Sequence, residues 1–280
     1  MIEFQGLTRK FGDFTAVDHI DLTIGTGEFF GLLGPNGAGK TTTISMISTV
    51  LLPTSGQILL DGKVLDRSSH NEKRKLSVIT QEYSMRQDMT MDEVMEYQGR
   101  LYFMPRREIR QKADELLEFT GLIEYRKRTV RHLSGGMKRK LMICRALMTD
   151  PEILLLDEPT AGMDALSRRQ TWTLLRRLQN RGMTVLLTTH YMEEAQTLCD
   201  RVALMDRGKI DIVDTPQALI EGLGSFAVDE LAEEKTVSRY FRDREDAIEY
   251  LKAAGQNASM RSTTLEDVFL ERLGKHLEKR

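Results

Sequence analysis

The chain has 280 residues, of which 40% are hydrophobic and 29% are charged, and its formal net charge is −2. This length supports one sizeable core with a small additional unit, and the balanced charge excludes a general attraction to nucleic acid or anionic lipid. Its two cysteines, Cys144 and Cys199, are too few for a disulfide framework. No apolar run approaches the roughly 20 residues of a membrane-spanning helix, and no signal peptide is recognised. We therefore expect a cytoplasmic protein that reaches the membrane through a partner.

The N-terminal part of the chain predicts strands on both sides of a glycine-rich loop. Residues 1–24 predict strands with a turn at Gly12. Residues 29–33 form a short apolar run, which is typical of a strand buried on both faces. After the loop, residues 42–52 predict a helix that ends before Pro53, because the residue before a proline disfavours helical geometry.

Helices predominate in the middle of the chain. Residues 90–120 predict helical structure divided at Pro105, and Thr90 with Glu93 has the spacing of a capping box. Residues 134–148 predict another helix. Such a block indicates a helical unit that interrupts the series of strands.

Buried strands return in the second half. Residues 153–156 and 185–187 are apolar runs, separated by an amphipathic helix at 165–181. Residues 202–205 and 210–213 bracket a turn sequence and predict a hairpin. Buried strands that alternate with helices favour an α/β fold with a mostly parallel sheet covered on both sides.

The clearest motif is the phosphate loop, residues 34–41, which match the pattern G-x-x-x-x-G-K-[ST] in full. Glycines allow backbone N–H groups to point at phosphate oxygens, and the helix that follows adds its N-terminal dipole. Lys40 supplies a positive charge for the β- and γ-phosphates, and the Thr41 hydroxyl is a predicted Mg²⁺ ligand. The residues predicted to bind nucleotide here are Gly34, Pro35, Asn36, Gly37, Ala38, Gly39, Lys40, Thr41 and Thr42.

Two acids follow the apolar run at 153–156. Carboxylates at the end of a buried strand lie beside the phosphate loop in folds of this class. Asp157 is therefore predicted to hold Mg²⁺. Glu158 is predicted to orient or deprotonate the attacking water, which favours hydrolysis over simple binding.

The segment 133–137 reads Leu-Ser-Gly-Gly-Met and opens a predicted helix. Ser134, Gly135 and Gly136 at a helix N-terminus form a second anion site. Here the chain resembles the ATP-binding cassette (ABC) family, whose signature usually has the sequence LSGGQ. Met137 stands where the family usually has glutamine, and this change removes no phosphate donor.

The resemblance implies further site residues and a partner. In this family the signature faces the γ-phosphate held by the other subunit, so a head-to-tail homodimer or heterodimer with ATP and Mg²⁺ at its interface is expected. Gln81 corresponds to the glutamine that reaches Mg²⁺ or the attacking water, and it is a predicted metal ligand. His190 resembles the switch histidine at the γ-phosphate. Phe11 lies where an aromatic residue stacks on adenine.

The resemblance also implies the domain organisation. We expect a P-loop NTPase of the ABC ATPase fold over residues 1–220: a mixed sheet core with an antiparallel β portion and an α-helical subdomain at about 84–150. Residues 221–280 are expected to form a small C-terminal α/β accessory domain, in which Thr263 and Glu266 have capping-box spacing. Its role in dimer contacts, permease docking or regulation is left open.

Within the family, segments 41–44, 133–140 and 264–270 resemble the daunorubicin-resistance type of exporter. That type pairs ATPase subunits with a separate integral membrane permease. An ATPase that powers export is therefore implied, peripheral on the inner face of the cell membrane, with no nucleic-acid partner. One alternative is a soluble ABC ATPase acting on ribosomes or DNA, but such proteins usually carry two cassettes or a long coiled-coil insertion. Another is a binding module without turnover, which the intact acids disfavour.

A cluster of methionines follows the Gln81 position and has two interpretations. In this family the segment receives a helix of the membrane subunit, and flexible methionines suit an adaptable groove. Equally, these residues occupy ordinary core and surface positions. The methionines concerned are Met85, Met89, Met91, Met95 and Met104.

Overall fold

The computed structural model describes residues 1–82, 84–232 and 235–278. Its strands are β1 (Ile2–Phe11), β2 (Phe14–Ile24), β3 (Phe29–Leu33), β4 (Ser55–Leu60), β5 (Lys63–Val64), β6 (Leu76–Ile79), β7 (Ile153–Asp157), β8 (Thr184–Thr189), β9 (Arg201–Asp206), β10 (Lys209–Asp214), β11 (Phe226–Ala232), β12 (Lys235–Phe241) and β13 (Ala258–Ser262). Its α-helices are α1 (Lys40–Ile47), α2 (His70–Arg74), α3 (Met91–Leu101), α4 (Arg106–Thr120), α5 (Gly135–Leu147), α6 (Ala165–Gln179), α7 (Met192–Leu198), α8 (Pro216–Leu223), α9 (Arg244–Ala254) and α10 (Leu265–Glu278).

The central sheet has the strand order β10-β9-β3-β8-β7-β6. Strands β9, β3, β8, β7 and β6 are parallel, whereas β10 pairs antiparallel with β9. Every residue of β3, β7 and β8 is buried, as their apolar sequences require for strands covered on both faces. The predicted mixed α/β sheet is therefore confirmed, and the carboxyl ends of β3, β7 and β8 meet at one edge.

A second, antiparallel sheet has the order β2-β1-β4-β5. Helix α1 packs between it and the central sheet, because Ile44 and Ile47 share one apolar core with Ile2 and Leu155. The helix ends earlier than the predicted residue 52, since Thr49 adopts a left-handed backbone with φ 59°.

Helices α3, α4 and α5 form a helical layer beside the central sheet. The predicted capping box is confirmed, because Thr90 accepts from the Glu93 N–H and the Glu93 carboxylate accepts from the Thr90 N–H. Met91 and Met95 are fully buried in this layer. The remaining methionines of the cluster are partly buried against the same core.

The C-terminal residues form a sheet of order β12-β11-β13 with helix α9 packed against it. Helix α10 returns to the main core, where Leu265 and Val268 pack in the same cluster as Leu219 and Ile220 of α8. The predicted boundary at residue 220 falls inside α8. In the described part of the chain, no helix has the length and apolar character needed to span a bilayer.

The capping box predicted at the start of α10 is wrong by one residue. Thr264, not Thr263, precedes the helix, and its N–H and hydroxyl both donate to Asp267 at 2.8 Å. Arg261 holds the same carboxylate at 2.7 Å and also binds Asp229 of β11, which ties the helix start to the small sheet.

Candidate active site

The phosphate loop joins the buried strand β3 to helix α1. Gly37 and Gly39 have φ values of 83° and 109°, in the region that favours glycine. At Gly39 a Cβ atom would lie 2.4 Å from the Ala16 carbonyl oxygen, so no other residue fits without a shift of the backbone. The loop is therefore clamped against β2 while it turns its backbone toward the cleft.

Lys40 is the first residue of α1, and its side chain turns back into this loop. Its side chain is buried, and the ammonium donates to the carbonyl oxygens of Gly34 at 2.7 Å and Pro35 at 3.0 Å. Burial lowers the pKa of Lys40, and the negative charges of Glu158 and Asp157 oppose that shift. The positive charge is thus held in a position with few competing solvent contacts, where a phosphate would feel it strongly.

Asp157 ends strand β7 beside the first turn of α1. One oxygen of its buried carboxylate accepts from the Thr41 hydroxyl at 3.2 Å and from the Thr188 hydroxyl at 2.5 Å. Thr188 was not among the predicted site residues. The signal for it is the polar pair Thr188-Thr189 directly after the apolar run 185–187, in a strand that pairs in parallel with β7.

Glu158 lies one residue beyond β7 in a strained conformation. Its φ is 47°, in the left-handed region that a non-glycine residue seldom occupies, and such strain clusters at functional sites. Its N–H donates to the Thr188 carbonyl at 2.9 Å. The carboxylate lies 2.9 Å from His190 Nδ1 and 3.9 Å from Lys40 Nζ. The structure therefore brings together three predicted site residues, Glu158, His190 and Lys40.

A cleft of about 380 Å³ opens over these groups. Phe11 and Phe14 face each other across the β1–β2 turn and form one wall of it, with the Arg9 guanidinium 4.6 Å from the Phe11 ring centroid. Phe14 was not predicted, although its pairing with Phe11 across Gly12 was the available signal. The other lining residues are Ala16, Asn36, Gly37, Gly39, Lys40, Thr41, Thr42, Gln81 and Glu158.

The signature segment lies elsewhere. Ser134 caps helix α5, and its hydroxyl accepts from the Met137 N–H at 3.3 Å. A Cβ atom at Gly136 would lie 2.9 Å from the Ser167 hydroxyl of α6, so a glycine allows the close contact between these two helix starts. Ser134 and Gly135 are exposed, and none of these three signature residues is among the described residues that line the cleft.

A family model described as ABC transporter matches residues 17–161, which include the phosphate loop, the signature and both acids. The chain belongs to the ABC transporter family. It is an ATP-binding subunit of the exporter type that hydrolyses ATP to power transport, and subunits of this ABC family function with a membrane permease and dimerise. The alternative of an ABC ATPase acting on ribosomes or DNA is not favoured.

Individual ABC proteins support this assignment over most of the chain. Nod factor export ATP-binding protein I of Ralstonia nicotianae is 34% identical, covering 99% of this chain and 95% of that protein. The daunorubicin resistance ATP-binding protein DrrA3 of Streptomyces coeruleorubidus is 34% identical, covering 98% and 96%. A dimeric post-hydrolysis structure of the ATP-binding cassette MJ0796, bound to ADP and Pi, has a TM-score of 0.67 and 27% identity, covering 77% and 98%. The predicted fold and subfamily are thus confirmed.

Proposed function

We propose that this ABC subunit binds Mg-ATP in the cleft over the phosphate loop and hydrolyses it as one half of a head-to-tail dimer. The second half is another copy or a related ATPase subunit. The dimer is held at the inner, cytoplasmic face of the cell membrane by an integral membrane permease. One observation carries the proposal. Within a single chain the hydrolytic groups gather at one cleft, whereas the signature is exposed and does not line that cleft.

The roles follow from the geometry of the cleft. The backbone of the phosphate loop and Lys40 bind the phosphates, because N–H groups at a helix start and a buried ammonium act strongly on negative charge. Glu158, held by His190 at 2.9 Å, orients and deprotonates the attacking water. Gln81 also lines the cleft and would complete the set of groups around that water. Phe11 supports the adenine ring by stacking.

Magnesium fits the oxygen ligands at the floor of the cleft. Among the described residues no group of three or more His, Cys, Asp or Glu could hold a metal ion, but Mg²⁺ typically takes one or two protein oxygens with water and phosphate. Thr41 and Asp157, whose oxygens lie 3.2 Å apart, would hold it, with Gln81 as a further ligand. When bound, the ion neutralises charge on the β- and γ-phosphates.

The signature explains why a dimer is proposed. Helix α5 presents the Ser134–Gly136 N-terminus at the surface, away from its own cleft. A helix start of this kind binds anions through its first N–H groups and its dipole. In a head-to-tail pair, Ser134, Gly135 and Gly136 of one protomer would contact the γ-phosphate in the cleft of its partner.

Complementation between two inactive variants tests this arrangement. Lys40→Met removes the phosphate loop charge, and Ser134→Ala with Gly135→Asp blocks the signature. Each variant alone should be inactive, but a mixed dimer contains one cleft in which both halves are intact. If exchange is random, mixing equal amounts should restore up to about a quarter of wild-type turnover, because half of the dimers are mixed and each has one intact site.

The matched control mixes Lys40→Met with Glu158→Gln. Both changes lie in the same half of the composite site, so every mixed dimer has two defective clefts. No turnover should return. Equal activity in the two mixtures, or none in the signature mixture despite proven dimer exchange, would contradict the head-to-tail arrangement.

The domain division is also proposed, with the cassette at residues 1–220, its helical subdomain at 84–150 and an accessory unit at 221–280. The Leu265 N–H donates to the Gln196 side chain of α7 at 3.0 Å, and Arg272 pairs with Asp211 of β10 at 3.2 Å. Because α7 directly follows His190, these contacts support a regulatory role for the accessory unit.

A further inference from the structure

Helix α5, which begins at the signature, contains a buried arginine that the proposed chemistry does not use. Arg139 lies five residues after Ser134 on α5, and only 1% of its surface is exposed. Charged side chains are seldom buried to this degree unless hydrogen bonds compensate for lost solvent. The partners of this guanidinium therefore matter for how α5 is fixed.

Two of those partners belong to the loop that carries Gln81. Arg139 donates from Nη1 to the Thr80 carbonyl at 2.9 Å and from Nη2 to the Gln81 carbonyl at 3.3 Å. Thr80 and Gln81 are exposed, so the loop is anchored from beneath by a buried group. Moving the loop alone would leave the guanidinium without these acceptors, which is strongly unfavourable.

A second arginine of α5 holds the same loop further along. Arg145 donates to the Ser84 carbonyl at 2.6 Å and to the Ser84 hydroxyl at 3.0 Å. We call residues 80–82 and 84 the Gln81 loop. Helix α5 thus grips this loop at two points through side chains that cross between the helical layer and strand β6.

We propose that Arg139, assisted by Arg145, is a positioning residue that links the two ATP sites of the dimer. This inference rests on the proposed head-to-tail dimer. In that arrangement α5 begins at the nucleotide of the partner, whereas Gln81 faces the nucleotide of its own chain. A shift of α5 when Ser134 meets the partner's γ-phosphate would be passed through Arg139 to the Gln81 backbone, so that filling one site arranges the other.

The rigidity of the connection supports this role. Five residues of α-helix separate Ser134 from Arg139, a rise of about 7.5 Å without a flexible joint. Leu141, Ile143 and Cys144, further along the helix, are fully buried, so α5 moves as a packed body. A buried guanidinium with two acceptors on adjacent residues transmits such a movement more faithfully than a single exposed contact.

The test measures ATP turnover by the full-length chain across ATP concentrations, with Arg139→Met. We expect kcat to fall about tenfold while KM changes less than about threefold, because Gln81 is misplaced but phosphate binding is kept. The Hill coefficient, whose limit is the number of sites, should fall from above one toward one. Arg139→Lys, which keeps one donor group for the carbonyls, should recover part of both values.

Lys140→Met is the matched control, since it removes the same charge from the next residue, whose ammonium binds Gln170 of α6 instead. It should leave kcat and the Hill coefficient unchanged. An equal loss in Lys140→Met, or wild-type kcat and cooperativity in a folded Arg139→Met, would overturn the proposal. If Arg139→Met does not fold, the partly buried Arg145 decides, because Arg145→Met should lower kcat about threefold.

Failure of the dimer and failure of the link give different results. A wild-type chain with a Hill coefficient of one and turnover independent of protein concentration would remove the composite site itself. Cooperative wild-type turnover that survives unchanged in the folded arginine variants would remove only the link through Arg139.

Discussion

Helices α1 and α5 begin in similar ways and are used differently. Helix α1 follows the glycine-rich phosphate loop, and α5 begins in the Ser-Gly-Gly of the signature. The first N–H groups of such a helix can bind an anion. Helix α1 starts at a left-handed Gly39 with no side-chain cap, so its N–H groups stay available. Helix α5 starts at Ser134, whose hydroxyl already accepts from the Met137 N–H.

Their surroundings differ even more. The start of α1 is surrounded by β3, β7 and β8, which supply the two acids and the Thr188 hydroxyl. The start of α5 is exposed at Ser134 and Gly135, and its Gly136 lies close to Ser167 of α6. One sheet edge therefore gathers the hydrolytic groups within one chain, whereas the other helix start takes part in a site only in the proposed head-to-tail dimer.

The largest expected effect is a loss of ATP turnover without a loss of ATP binding. Glu158→Gln should lower turnover about 100- to 10,000-fold, the range for loss of a general base, while ATP binding persists and ATP-dependent dimers accumulate. Turnover and gel filtration with ATP measure both. Glu152→Gln is the control, because Glu152 lies before the other end of β7 and pairs with Lys75. Near-normal turnover in Glu158→Gln would show that another group acts as the general base.

The next effect contrasts the two helix starts directly. In monomeric protein, Lys40→Met should weaken ATP binding about 10- to 100-fold, through loss of charge-assisted contacts. Ser134→Ala should leave monomer affinity unchanged, since the signature does not line its own cleft. A fluorescent ATP analogue at low protein concentration measures this. A weakened affinity in Ser134→Ala would mean that both helix starts serve one nucleotide.

A smaller effect concerns the aromatic wall of the cleft. Phe11→Ala should weaken ATP binding about 2- to 10-fold, the range of one aromatic stacking interaction. Phe103→Ala is the control, because Phe103 is 93% exposed and lies outside the cleft. A larger loss in Phe14→Ala than in Phe11→Ala would assign the stacking role to Phe14.

The smallest effect tests the side-chain cap that α5 has and α1 lacks. Ser134→Ala should lower the free energy of unfolding by about 1 kcal/mol, the usual cost of losing a serine cap. Urea unfolding of the monomer measures it. Ser134→Asp keeps an acceptor and should restore stability while still failing in turnover, because a negative charge there repels phosphate. Unchanged stability in the alanine variant would show that the Met137 N–H has another acceptor.

Much of this architecture could be predicted from the sequence. The phosphate loop and Asp157-Glu158 were recognisable because catalysis fixes residue type and spacing within a few positions, and the buried strands because two covered faces demand apolar residues. The capping box at Thr90 followed from purely local chemistry.

What escaped prediction depends on distant residues. Thr188 contacts Asp157 because β8 pairs with β7, and no local sequence pattern predicts that pairing. The box at α10 was misplaced by one residue because Thr263 and Thr264 offer equal local signals, and Arg261 favours Asp267. The burial of Arg139 beneath the Gln81 loop has no local sequence signal, because it depends on how α5 packs against that loop.

The return of α10 to the main core has a consequence for synthesis. Leu265 and Val268 cover the apolar sides of α7 and α8, which leave the ribosome much earlier. Until α10 appears, a nascent cassette carries an exposed hydrophobic surface on α7 and α8, and such surfaces favour aggregation or chaperone binding. The cassette therefore completes the packing of α7 and α8 only after the accessory sheet has been translated.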